Sequence, residues 1–334
     1  MGGKLFPITR RYDKDEYEKI YPIIMKKVEK ILNTEVFHVF TFRNKETFGD
    51  LDLLVLNNGN LGNVQEKIKE AFNTEHIHSN GNVISFVDKD FQVDLILTPT
   101  KNWKTAKVFF PMDPTGNLMG KIAHKFNLKY GFQGLVYPFR GFSGRNTKDI
   151  VISKDNRKIF DFLGFDYDRY LKGFDEVEEI FEYVINSQYF SYTNFLMKNL
   201  NAIDRKRNKK RKTYQEFLEY VNNHEYAKEF NIKFEKDKSA YIDIIEAWFP
   251  EANFKTQLKE LEIKDLIAKQ AAEQFNGRLV MEETGLTGKD LGKVLGDFKE
   301  FKVKQRGVSF TTAVVHDDDI METFKQWYHL NFKK

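Results

Sequence analysis

The chain has no cysteine among its 334 residues. Disulfides and thiolate metal sites are therefore excluded, and the composition is compatible with a reducing, cytoplasmic setting. No apolar run approaches the ~20 residues that a membrane helix needs, so no membrane partner is expected. The first residues, Met1-Gly2-Gly3-Lys4, carry no signal-peptide core. There is no internal repeat and no low-complexity linker. A strong charge imbalance is also missing. The formal net charge of +4 is too small by itself to imply nucleic-acid binding, so the distribution of charge has to decide.

What is present reads as a folded globular chain. Hydrophobic residues make up 41% and charged residues 31%, which argues against disorder. The length suffices for two or three packed units. The Lys-, Asn- and Phe-rich composition is of the kind an A/T-rich genome, such as a phage genome, encodes.

Periodicity predicts a helix over 14–32, with Tyr17, Ile20, Tyr21, Ile24, Val28 and Ile31 along one side. A strand at about 35–42, a loop over 45–49 and a second strand from Asp50 follow. A helix is expected over 61–73, and 83–87 with 91–97 reads as a hairpin. A longer helix is expected over 115–131. Pro138 to Asn146, with Gly141 and Gly144, reads as a loop and a boundary. Beyond about 150, helices dominate: 173–186, 190–201, 213–229, 238–247, 255–276, 288–301 and 317–330. Ser309 to Val315 reads as a short strand. The fold class expected is α+β, a small mixed sheet backed by helices followed by a mostly α-helical C-terminal region.

The chemistry concentrates in Gly49-Asp50-Leu51-Asp52-Leu53-Leu54-Val55-Leu56. Side chains alternate across a strand, so Asp50 and Asp52 share a face. Aspartate is depleted in strands, and an unpaired buried carboxylate is costly. Asp94 stands in the middle of a second predicted strand, Phe91 to Leu97. Three carboxylates on neighbouring strands make a hard-oxygen set suited to Mg2+ or Mn2+. Salt-bridged structural carboxylates are the alternative on spacing alone.

Gly49-Asp50-Leu51-Asp52 with the distant Asp94 resembles the nucleotidyltransferase fold. The longer run from Arg43 to Asp52 is similar to the active-site segment of family X DNA polymerases. Val108-Phe109-Phe110, Asn117, Lys121 and Ala123-His124 look like that family's nucleotide-binding segment. Asp149 to Ser153 and Ile159 to Gly164 look like the end of its catalytic region. The resemblance covers roughly residues 14–175. It implies a catalytic domain at 1–150 and a helical nucleic-acid-binding region at 151–334. It also implies that Asp50, Asp52 and Asp94 hold two metal ions, the third helping to deprotonate an attacking 3′-hydroxyl. Arg43, Lys45, Gly49, Asn117 and Lys121 then become candidates for the nucleoside triphosphate site, Arg43 by bidentate phosphate contact. The sequence departs from the family where a Gly-Ser pair usually holds the triphosphate: Val39 and Phe40 stand there. Gln92 and Ile96 replace basic residues that often flank the third aspartate.

Other features carry weaker expectations. Arg205-Lys206-Arg207-Asn208-Lys209-Lys210-Arg211-Lys212 is nearly all basic, and it reads either as a solvated loop or helix end or as a phosphate-backbone patch. Phe275-Asn276-Gly277 through Gly292-Lys293 resembles a segment near the C-terminus of CCA-adding enzymes and bacterial poly(A) polymerases. There Thr287 can cap a helix with Asp290 in the reciprocal position of a capping box, and free amides at Gly288 and Gly292, beside Lys289, could bind phosphate. An ordinary helix–loop–helix turn explains the segment equally. Phe109 and Phe110 serve either a nucleotide or the core. His76 and His78 read as a solvent-facing turn, His38 and His124 as structural.

These readings converge on a metal-dependent nucleotidyltransferase acting on a polynucleotide 3′ end, DNA or RNA. Alternatives are RNA 3′-end addition of the CCA type and a catalytically silent nucleic-acid-binding protein. Transfer onto a protein or small molecule fits the basic run and long helical region less well.

Overall fold

A reciprocal capping box at Asp13 starts the first helix. The Asp13 carboxylate accepts the Glu16 amide at 2.8 Å, and the Asp13 amide donates to Glu16 Oε2 at 3.2 Å. Helix α1, Lys14–Leu32, then buries Tyr17, Ile24, Val28 and Leu32 along one side. The structure is a computed structural model that describes residues 3–144 and 146–332. It is mixed α and β with a helical C-terminal region. The chain forms two compact units, one of Met1–Tyr137 with Val151–Ala252 and one of Pro138–Ile150 with Asn253–Lys334.

The first unit is built on a five-stranded mixed sheet. In chain order its strands are β2 (Val36–His38), β4 (Asp50–Asn57), β5 (Ile77–Asn80), β6 (Val83–Asp88) and β7 (Phe91–Pro99). They lie side by side as β2-β4-β7-β6-β5. A separate two-residue pair joins β1 (Tyr12–Asp13) to β3 (Thr47–Phe48). The central strands β4 and β7 are parallel, and their other neighbours are antiparallel. A parallel pair needs a crossover, here the segment carrying helix α2 (Val64–Phe72) and the β5–β6 hairpin.

The two faces of β4 have different fates. Leu51, Leu53 and Val55 are fully buried in a core shared with Tyr17, Ile24 and Val28 of α1 and Ile68 of α2. Each such side chain stabilises the unit by roughly 1.5–3 kcal/mol. On the opposite face, Leu54 packs with Ile96 of β7 and with Trp103 and Ala106 of α3 (Trp103–Phe109). Asp50 and Asp52 share that second face, toward the start of the strand.

Helix α4 is Thr115–Ala123. The helix expected to continue to 131 stops there, because a short 3₁₀ turn at His124–Phe126 ends on Asn127 at φ 60°. Strand β8 (Lys129–Gly131) follows and pairs antiparallel with β9 (Gly134–Arg140), which β10 (Asn146–Ser153) flanks on the other side. The loop expected from Pro138 is thus strand as far as Arg140. His76 precedes β5 and His78 lies within it, paired with Ser85 of β6 rather than in a free turn.

The compact units do not divide at 150. The chain re-enters the first unit at Val151, and the helices up to 252 belong there. These are α5 (Asn156–Phe162), α6 (Tyr167–Leu171), α7 (Val177–Ile185), α8 (Tyr192–Phe195), α9 (Ala202–Asn208), α10 (Lys212–Asn223) and α11 (Ile242–Trp248). Burial explains the grouping. Phe126, after α4, meets Phe162 of α5 at 5.1 Å and Tyr241 at 5.1 Å between ring centroids.

The second unit holds α12 (Phe254–Gln274), α13 (Gly277–Thr284), α14 (Gly288–Arg306), α15 (Phe310–Val315) and α16 (Ile320–Phe332). Its core includes Phe275, Val280, Phe298, Val314 and Phe324. The run expected as a strand at 309–315 is helix α15. Ser309 caps it by accepting the Thr312 amide at 3.3 Å, and Ala313 and Val314 are buried.

Candidate active site

Strand register sets the carboxylates. Asp52 of β4 is the direct partner of Asp94 of β7, and Asp50 is the partner of Gln92. Asp50, Asp52 and Asp94 are all part-buried. Burial pushes each carboxyl above the usual carboxylate range. Repulsion adds to it: Asp52 is raised further by Asp50 and Asp94, and Asp94 by Asp50. The shift is largest at Asp52.

The three carboxylates differ in their support. Gln92 Nε2 donates to both oxygens of Asp94 at 3.1 Å, and Ser85, the register partner of Asp94 on β6, also bonds to it. Gln92 Oε1 in turn accepts the Leu5 amide at 3.1 Å. Asp50 accepts from the Gly3 backbone. Gly3, at φ +73°, lies so close to buried Gly49 that a Cβ there would collide with the Gly49 carbonyl. Among the described residues the Asp52 carboxylate accepts no hydrogen bond and joins no ion pair.

The nearby cation is Lys45. Burial lowers its pKa, against the pull of Asp50, Asp113 and Asp52, and its ammonium lies 4.9 Å from the Phe48 ring centre. Asp113 acts on Lys45, Asp52 and also Arg211. It therefore links the carboxylates to a neighbouring cavity of about 240 Å³.

That cavity has an aromatic side of Phe109, Phe110 and Tyr130. Its polar side includes Asp113, Asn117, Lys121 and His124, and α9 with the turn after it contributes Asp204, Arg207 and Arg211. Lys121, nearly fully buried, pairs with Asp204 at 2.7 Å. His124 Nδ1 is 3.8 Å from the same carboxylate, and burial together with Lys121 lowers the His124 pKa. Asn117 donates to Asn208 Oδ1 at 3.3 Å. Two buried polar atoms, Tyr130 Oη and Asn208 Nδ2, have no hydrogen-bond partner among the described residues.

The other expected residues are placed as follows. Arg43 pairs with Asp175 at 2.6 Å and also donates to the Lys172 carbonyl. Neighbouring Asn44 donates to Glu176 at 2.6 Å, and the backbone amides of both residues bond to the 174–175 carbonyls. The loop before the carboxylate strand is thereby tied to the turn before α7.

The basic run is split by geometry. Arg207 and Arg211 line the cavity. Arg205, Lys206, Lys209 and Lys210 are exposed elsewhere, and Lys212 pairs with Glu216 at 3.1 Å. Gly288 and Lys289 belong to the second unit. Gly288 has φ +58°, nothing lies near its absent Cβ, and Thr287 makes no capping hydrogen bond, so the expected capping box is not formed.

His38 is part-buried, in surroundings that favour its neutral form. Its Nε2 is 2.8 Å from Tyr17 Oη, its ring stacks on Tyr21 at 4.2 Å, and burial lowers its pKa to about 4. Asp113, Asp204 and Tyr130 join the cavity without any signal in the sequence. Each stands alone there, with no motif around it.

Among the described residues no group of three or more His, Cys, Asp or Glu side chains could hold a metal ion as it stands. The donor chemistry nonetheless suits magnesium, which commonly takes one or two carboxylates and completes its shell with water and substrate phosphate. Asp52, unpartnered beside Asp94, fits that requirement. Among the described residues no helix is long and apolar enough to cross a membrane. No protein-family model matches the chain, and no curated protein matches it.

Proposed function

We propose that the first unit is a metal-dependent nucleotidyltransferase of the family X polymerase-like kind, with the nucleotidyltransferase fold. It adds a nucleoside monophosphate to a polynucleotide 3′-hydroxyl and releases pyrophosphate. The observation that carries this reading is the placement of Asp52 beside Asp94 on parallel strands, with Asp50 on the same face and repulsion among the three. Holding unpaired carboxylates together is costly unless a cation offsets it.

Asp50, Asp52 and Asp94 would hold Mg2+ or Mn2+, which supplies charge neutralisation at the entering and leaving oxygens. Asp94, oriented by Gln92 and Ser85, is the carboxylate suited to accept the proton of the attacking hydroxyl. Phe109 and Phe110 offer apolar surface to a base and sugar, and Asn117 offers hydrogen bonds beside them. Lys45 lies close enough to Asp50 and Asp52 to neutralise developing charge there.

The test is direct. Labelled DNA and RNA primers are incubated with each triphosphate and magnesium, using wild type and Asp94→Ala. Extension by wild type and none by the variant is expected. Extension at equal rates removes the carboxylates from catalysis, and no extension of any primer removes the activity.

A further inference from the structure

We infer that Arg207 and Arg211 form a polyphosphate-binding pair that holds the phosphate tail of the nucleotide in the cavity beside the carboxylates. The assignment rests on the nucleotidyl-transfer reading for the identity of the ligand. Its geometry stands separately. Both guanidiniums line the cavity, Arg207 from the end of α9 and Arg211 from the turn that leads into α10.

Neither arginine has an ion-pair or side-chain hydrogen-bond partner among the described residues. Asp204, on the helix that carries Arg207, is already engaged by Lys121 at 2.7 Å. Asp113 is the remaining cavity carboxylate and faces Lys45 as well as Arg211. Lys121, Arg207 and Arg211 repel one another, and burial also disfavours the charge on Arg211. A concave wall that gathers three like charges and leaves the two guanidiniums without an ion pair is stabilised by an anion.

An anion that satisfies both guanidiniums is multivalent, and Asp113, which acts on both Arg211 and Asp52, sets the cavity next to the carboxylate strand. A nucleotide polyphosphate meets both conditions, and a planar guanidinium fork suits its oxygens. The pair would supply phosphate contacts that the chain lacks at Val39 and Phe40. Part of the basic run then serves the small substrate, and only its outward residues are left for a polymer backbone.

The experiment is calorimetric titration of the full chain with inorganic tripolyphosphate in metal-free, low-salt buffer containing EDTA. Wild type is expected to bind. Arg207→Ala and Arg211→Ala should each weaken binding about tenfold, as for charge-assisted hydrogen bonds. Lys206→Ala with Lys209→Ala, altered outside the cavity, should bind as wild type. Arg211→Lys keeps the charge and loses the fork, so its affinity should fall between wild type and Arg211→Ala. Thermal melting of each variant checks the fold.

No binding by wild type, or equal affinity in the arginine variants, overturns the assignment. So does a loss confined to a labelled single-stranded oligonucleotide, which would return both arginines to the polymer. Asp52→Asn separates this inference from the reading it rests on. If that variant still extends primers while the arginine variants lose tripolyphosphate, the carboxylate mechanism fails and the anion site stands. If it loses extension while the arginine variants bind normally, the mechanism stands and the anion site fails.

Discussion

Lys121 of α4 and Asp204 of α9 form a 2.7 Å ion pair with side chains only 4% and 16% exposed. Burial lowers the Lys121 pKa, and the hydrogen bond to Asp204 opposes that shift. For Asp204, burial pushes the carboxyl up, but the hydrogen bond and charge of Lys121 outweigh it and the pKa falls. Removing one partner strands the other. Lys121→Met should cost about 3 kcal/mol in urea unfolding, and Lys121→Met with Asp204→Leu should cost less. Because the Asp204 pKa is depressed, its contribution is present above the ordinary carboxylate range and is lost as pH falls through the depressed value. An unchanged urea midpoint in the single variant would show that the pair contributes nothing.

Asp52 predicts the opposite pH behaviour. Burial and two neighbouring carboxylates raise its pKa, so the folded state favours the neutral acid. The resulting cost is absent below the ordinary carboxylate range and fully present above the raised value. Asp52→Asn should therefore abolish primer extension yet stabilise the metal-free protein at pH 7, by on the order of 1 kcal/mol. The gain should shrink as pH is lowered toward ~4, the ordinary carboxylate pKa. Magnesium should raise the melting temperature of wild type and leave that of the variant unchanged. A variant less stable than wild type at pH 7 would contradict the electrostatic account.

His38, the register partner of Leu53, provides an acid-sensitive contact with Tyr17. Its pKa is lowered to about 4 from 6.5 by burial. The folded state excludes the proton that the unfolded chain takes up, so stability declines as pH falls from 6.5 toward 4, by up to about 3 kcal/mol. His38→Gln keeps a hydrogen-bond acceptor for Tyr17 and does not titrate. Its stability should be nearly flat over that window after subtracting the common carboxylate background. Parallel pH curves for wild type and variant would exclude His38 as the source.

Arg43 is expected to act through position. Its pair with Asp175 is half-exposed, so its direct contribution to stability is small, at most about 1 kcal/mol. The loop that it tethers leads into Asp50. Arg43→Ala should lower kcat for nucleotide transfer roughly tenfold, as misplaced catalytic groups do, with little change in the triphosphate KM. A rise in KM at constant kcat would instead place Arg43 on the phosphates.

Much of the architecture is legible along the chain. The periodicity of 14–32 marks α1, and alternation around Asp50 and Asp94 marks the two central strands. The shared face of Asp50 and Asp52 follows from the two-residue strand repeat. The misjudged elements are those whose state depends on neighbours. Ser309 to Val315 is apolar and β-branched enough for a strand, but burial of Ala313 and Val314 in a helical core decides for helix. Residues after Ala123 continue a helical pattern, yet Asn127 in the left-handed region ends it and frees β8 to pair with β9.

The candidate site divides along the same line. Local spacing determined that Asp50 and Asp52 point together, because strand alternation is a property of the backbone. Composition determined that no thiolate or disulfide takes part. Only tertiary structure set Asp94 beside Asp52, since register between β4 and β7 depends on which apolar residues face α1, α2 and α3. It also sorted the basic run. Its seven basic residues look equivalent as a string, but a helix end and a turn bring Arg207, itself still exposed, and Arg211 to the cavity wall, which Lys206 and Lys209 do not line. Asp113 and Asp204 gain their roles in the same way, through charges brought near them from far along the chain.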